Sequence, residues 1–237
     1  MSHRREQKEA LRRERERREA EAKAAQQRKR LFGVAGAVAI AAIAIVVLVV
    51  AAGGGGGSDP KSAGNNFPEG GSVPKQKVFD LTKAAAAAGC ELKSNKATSR
   101  EHLQDPNQTV PYPQNPPTSG KHFAVPAEDG LYNGQPPPDT ALVHALEHGR
   151  VITWVKPTAP AEARKQIRAL FDEDSYQMTV VQRANMPYAV ATTAWSHDPA
   201  PLGTGRLMGC PKWNENVIDA IRTFRDEHRS DGPEDVP

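Results

Sequence analysis

The sequence predicts an α+β fold, an antiparallel sheet with helices packed on one face, interrupted by a long proline-rich loop and preceded by one transmembrane helix. Three observations carry that expectation. Leu31–Ala52 is an apolar run without a charge or a proline, and about 20 such residues cross a bilayer core as a helix. Segments rich in branched and aromatic residues alternate with segments of helical periodicity through the C-terminal half. Between the N-terminal and C-terminal blocks, residues 106–138 hold nine of the 20 prolines, which excludes regular helix and makes a poor central strand.

Residues 1–30 carry 12 Lys/Arg against 6 Asp/Glu, net +6, while the remaining chain carries 19 against 22, net −3. The overall charge of +3 therefore conceals a basic arm and a mildly acidic main domain, and no nucleic-acid partner is expected. Glu9/Arg13, Glu14/Arg18 and Glu19/Lys23 are acid-before-base pairs at helical i,i+4 spacing. The arm reads as a solvated cytoplasmic helix whose arginines can hold anionic lipid headgroups.

Positive charge ahead of a first apolar segment keeps that end in the cytoplasm. Residues 31–52 are accordingly expected as the membrane anchor, with the bilayer as partner and everything after it extracytoplasmic. The competing reading is a cleavable signal peptide, against which the length of the apolar run counts. Gly33, Ala37 and Ala41 place a small residue every fourth position, a spacing that lets two anchors pack closely as a homodimer. Residues 53–71, opening with Gly53–Gly57 and Ser58, read as a flexible tether. Residues 72–230 are long enough for one domain with a real core, and 231–237 read as a disordered tail.

Within that domain Val73–Phe79 reads as a strand and Leu81–Ala88 as a short alanine-rich helix ending at Gly89. Glu91–Lys96 is a candidate strand, and Arg150–Lys156 is strong β material. Pro160–Phe171 has the apolar spacing of a helix. Gln177–Gln182 and Tyr188–Trp195 are further strands, and Asn214–His228 is a helix with Val217, Ile218, Ile221 and Phe224 as its apolar stripe. Cys90 and Cys210 are the only cysteines. On the exported side of a membrane such a pair is most simply a disulfide, with free metal-binding thiols as the alternative.

Four of the seven histidines, His102, His122, His144 and His148, fall between residues 102 and 148. Imidazole is the commonest protein ligand for zinc and copper. In His144-Ala145-Leu146-Glu147-His148-Gly149 a short helix capped by Asp139 or Thr140 would set both imidazoles on one face with Glu147 beside them. A strand would keep the histidine pair together but turn Glu147 away. His-x-x-Glu-His is also the inverted zinc-protease signature, with the glutamate as general base. A further ligand far downstream, which that chemistry needs, cannot be placed. Met178, Met186 and Met208 are candidate thioether ligands for cuprous ion or, more plainly, core residues. Ser119 near His122 has no orienting acid and no nucleophile elbow.

Taken together, Ala88-Gly89-Cys90, His102, the run Tyr112–His122, Gly130-Leu131-Tyr132, Leu142–Gly149 and Ala194-Trp195 resemble the bacterial family catalogued as domain of unknown function 3105. The resemblance spans about residues 73–224. It implies an exported or membrane-anchored protein and carries over no catalytic role. Lys121 departs from the pattern, standing where a proline commonly precedes the histidine.

These readings lead to one expectation and two alternatives. The leading one is a single-pass membrane protein whose exported domain binds copper or zinc through His102, His122, His144 and His148, with Glu147 as ligand or orienter. The alternatives are an envelope interaction module with structural histidines and its own protein partner, and a metal-dependent hydrolase using Glu147 as base.

Overall fold

The computed structural model describes residues 66–105 and 108–234. The basic arm, the apolar segment Leu31–Ala52, residues 53–65 and residues 235–237 lie outside that span. No helix among the described residues is long and apolar enough to cross a membrane.

In chain order the elements are α1 (Leu81–Ala88), β1 (Glu91–Lys96), β2 (His102–Leu103), β3 (His122–Phe123), β4 (Gly130–Leu131), α2 (Asp139–Glu147), β5 (Val151–Val155), α3 (Ala161–Glu173), β6 (Met178–Gln182), β7 (Val190–Ser196), β8 (Thr204–Cys210) and α4 (Val217–His228). Six strands form one sheet in the order β1-β8-β7-β5-β6-β4, and β2 and β3 pair separately. The fold class is α+β, as the sequence predicts.

The sheet is antiparallel from β1 through β5, whereas β5, β6 and β4 run parallel. Helix α3 crosses between β5 and β6, which is what a parallel neighbour requires. The expectation that helices cover only one face is also corrected. Helices α1, α3 and α4 pack on one side against Val151, Val155, Met178, Val180, Val190 and Met208. Helix α2 packs on the other, where Leu142, Val143 and Leu146 meet Ile152, Trp154, Val181, Ala191 and Trp195. Strands β5 and β7 are buried at every residue, the signature of a sheet covered on both sides.

Val73–Phe79 is not a strand. The N–H groups of Lys77 and Val78 donate to the Asp219 carboxylate, and the Val78 carbonyl accepts from the Thr223 hydroxyl. Side chains of α4 thus satisfy backbone groups that a strand would give to a ladder. Conversely β8, unpredicted, is central to the sheet. Its glycines hide it: at Gly209 a Cβ would stand 2.3 Å from the Tyr188 ring, so the strand needs a bare backbone there.

The fold also reaches past residues 72 and 230. Phe67, expected in the tether, is fully buried, its N–H donating to the Asn133 side chain. Residues 231–234, expected as tail, lie along the end of α2. The Glu234 N–H donates to the Glu147 carbonyl at 3.1 Å, and the His197 N–H to the Asp231 carbonyl at 2.7 Å. Gly232 comes so close that a Cβ would sit 2.2 Å from the Glu147 carbonyl oxygen.

Cys90 and Cys210 form a disulfide, with Cα atoms 4.2 Å apart, extending the β1–β8 register by one pair beyond Glu91↔Gly209.

His228, at the end of α4, packs edge-on against Phe224 with ring centroids 4.5 Å apart. Burial first, then the charge of Arg206, push its pKa from 6.5 down to about 4, with Asp231 opposing. Between those two values the unfolded chain takes up a proton that the folded chain refuses. The stability held above pH 6.5 is therefore lost as pH falls through 4. In urea titrations with EDTA present, His228→Gln should reduce the loss between pH 7 and pH 4 by up to about 3 kcal/mol. An unchanged acid limb would show that His228 is not its source.

Candidate metal centre

Two short strands and one buried helix assemble the histidines. Strands β2 and β3 pair in parallel with His102 directly opposite His122, held by the His122 N–H to the Glu101 carbonyl and the Ala124 N–H to the Leu103 carbonyl. Pro106 after β2, and Pro117 and Pro126 around β3, leave little room for a longer ladder. Helix α2 then lies against β3. It begins after Pro138 without a side-chain cap; Asp139, expected as a cap, is instead the first helical residue, and its carboxylate accepts from Arg183 at 2.7 Å. Eight of its nine residues are buried, including His144 and Glu147.

The result is a group of four side chains, His102, His122, His144 and Glu147, each offering one ligand atom within 4.8 Å of the others. The ring centroids of His102, His122 and His144 lie 4.7–4.8 Å apart. His122 and Glu147 are fully buried, while the His102 side chain is 42% exposed and forms the open side of the group.

Backbone carbonyls set the imidazole tautomers. His122 places Nδ1 2.8 Å from the Gly120 carbonyl, and His144 places Nδ1 2.7 Å from the Phe123 carbonyl. A carbonyl only accepts, so both Nδ1 atoms carry a proton, and in its neutral form either ring has its lone pair on Nε2. His122 Nε2 stands 2.9 Å from Glu147 Oε2, yet neither atom has a hydrogen bond of acceptable geometry and both are buried. Two lone-pair donors pressed together out of water call for a cation between them, either a proton or a metal ion.

The other carboxylate oxygen is taken: Arg100 Nε donates to Glu147 Oε1 at 2.5 Å. Burial on its own would raise the Glu147 pKa, but the close His122 and Arg100 outweigh it and hold it at about 2. His144 is pushed down to about 4 by burial and by the neighbouring His122 and His102, against the hydrogen bond to Phe123. At neutral pH the helix therefore presents an ionised carboxylate beside a neutral imidazole, the protonation states a metal needs.

His148 does not join this group. Its ring lies 4.4 Å from that of His144, but it belongs to a second set of His144, His148 and Glu234, with His148 Nε2 3.6 Å from the Glu234 carboxylate. Burial first, then His144, lower its pKa to about 4.

Two charged residues at the site escaped the sequence reading. Arg100 stands two positions before His102 in a segment with no recognisable pattern. Glu234 lies in the presumed tail, 86 positions beyond His148, and no spacing rule joins them. Met178, Met186 and Met208 are core residues, and Lys121 turns to Glu101 at 2.6 Å.

No curated protein and no solved structure matches this chain. A family profile does, over residues 103–235, beginning just after His102 and extending past Glu234. On that match, which covers more than half of the sequence and contains His122, His144, Glu147, His148 and Cys210, the chain belongs to the family described as protein of unknown function (DUF3105).

Proposed function

We propose that this domain binds one divalent transition-metal ion, zinc or copper, through His102, His122, His144 and Glu147. The observation that carries the reading is the buried pair of His122 Nε2 and Glu147 Oε2, 2.9 Å apart and without a well-formed hydrogen bond, with neutral His144 beside it. Three nitrogens and one carboxylate oxygen suit Zn2+ or Cu2+. The methionines that would favour cuprous ion are packed in the cores. Donor atoms of a tetrahedral zinc set lie roughly 3.3 Å apart given bonds near 2.0–2.1 Å, so loading must tighten the group. The exposed ring of His102 has the room to do so.

Arg100 acts as the orienting partner of the carboxylate, fixing Oε1 and leaving Oε2 to the ion. The backbone carbonyls of Gly120 and Phe123 do the same for two imidazoles. These contacts pin the proline-rich loop as well, so the structural role of the histidines is included rather than opposed. Glu147 stands among the ligand atoms, which favours a ligand over a general base. The apolar segment Leu31–Ala52 and the disulfide support placement of the domain outside the cytoplasm on a membrane anchor.

Elemental analysis of the 237-residue chain in detergent, free of a histidine tag and dialysed against Zn2+ or Cu2+, tests the reading. Near-stoichiometric metal is expected. Metal at background level would overturn it and return the histidines to a purely structural role.

A further inference from the structure

The two groups around α2 share His144. One imidazole nitrogen serves one ion, and His144 Nδ1 is committed to the Phe123 carbonyl at 2.7 Å. Both groups must therefore draw on the same His144 lone pair, so an ion held in one excludes an ion held in the other.

Exposure grades across the pair. The Glu234 carboxylate is 36% exposed and His148 14%, His144 is 4% exposed, and His122 and Glu147 are at zero. The rings follow one another at 4.4 Å from His148 to His144 and 4.7 Å from His144 to His122. Both carboxylates reach Arg100, Glu147 at 2.5 Å and Glu234 at 3.9 Å. The outer group also sits at the C-terminal end of α2, the negative end of the helix dipole, which favours a cation. Segment 230–234 is held there by the Ser230 N–H to the Gly149 carbonyl and by the Glu234 N–H to the Glu147 carbonyl.

We propose that His144, His148 and Glu234 form an outer docking position for a hydrated Zn2+ or Cu2+ ion, which His144 passes inward to His102, His122 and Glu147. This rests on the metal reading above and adds a route to it. A hydrated ion loses its waters stepwise. Three donors, from the half-exposed Glu234 inward to the buried His144, hold it through that exchange, whereas the exposed His102 offers a single nitrogen. The outer position is a waypoint, so it governs how fast the ion arrives and departs rather than how tightly it finally rests.

The test mixes Cu2+ with the 237-residue chain in detergent and follows tryptophan quenching by stopped flow. Trp195, with its ring centroid 5.9 Å from that of His122, reports arrival at the inner group. His148→Gln/Glu234→Gln should slow association by about tenfold or more, with dissociation slowed equally and Kd changed by less than about threefold, since a waypoint cancels from the equilibrium. The unsubstituted chain should bind one ion. An unchanged association rate, or two ions bound at once, would overturn the docking role while leaving the inner site standing. A loss of affinity as large as that of Glu147→Gln would make His148 and Glu234 true ligands and also overturn it. Failure of the unsubstituted chain to bind either Cu2+ or Zn2+ would reject the metal reading itself, and this route with it.

Discussion

His122→Gln/Glu147→Gln is expected to bind Zn2+ or Cu2+ at least about 100-fold more weakly than the unsubstituted chain, because losing an orienting group alone typically costs 10–100-fold and the proposal makes these two ligands. The effect is large because both side chains are fully buried and no other carboxylate in the inner group can replace Glu147. Glutamine keeps roughly the shape of each residue and can hydrogen-bond where they do, so the fold should survive. Competition titration against a chelator of known affinity measures the change. An affinity within about threefold of the original, which is well under 1 kcal/mol, would show that the pair holds no metal. Arg100→Gln separates orienting from ligation: it should weaken binding by about 10–100-fold. A larger loss would imply that the buried carboxylate cannot hold its position without the guanidinium.

Cys90→Ala/Cys210→Ala is expected to destabilise the domain by up to about 4–5 kcal/mol, the chain-entropy value for a loop of this length. The bond closes a separation of 120 residues and joins the end of α1 to the end of β8, which lies between β1 and β7 in the sheet. With a urea slope of roughly 1–3 kcal/mol per molar, the midpoint should fall by about 2 M. A fall below about 0.5 M would mean that the unfolded chain gains little freedom when the bond is absent. The disulfide touches no residue of the metal group, so the folded double variant should keep its metal affinity.

The sequence made the local features legible and left the long-range ones hidden. The apolar stripe of α4 depends on residues three and four apart, and Val217, Ile218, Ile221 and Phe224 are buried as that spacing requires. Gly89 ends α1 as expected, with φ +67°. His144 and Glu147 come together because one helix turn brings them together. By contrast, His102 meets His122 through a pairing of two-residue strands, which no propensity can signal. Strand β8 has Gly205, Arg206 and Gly209 where a strand pattern would want branched residues, and its place is decided by Tyr188 filling the space beside Gly209. Glu234 reaches α2 only because Gly232 permits backbone contact. The candidate group was thus half visible: its helix could be read, the histidines on the loop could be named but not placed, and Arg100 and Glu234 carried no signal at all.

The two edges of the six-stranded sheet decide how a protein partner can approach. One edge, β1, has five of its six residues exposed and carries Lys93 and Lys96, charges that discourage a foreign strand from pairing. The other, β4, is two residues long and offers too little ladder for strand addition. A protein partner would therefore dock on side chains and loops rather than lengthen the sheet. The same blunted borders keep crowded copies of the domain from zipping together edge to edge.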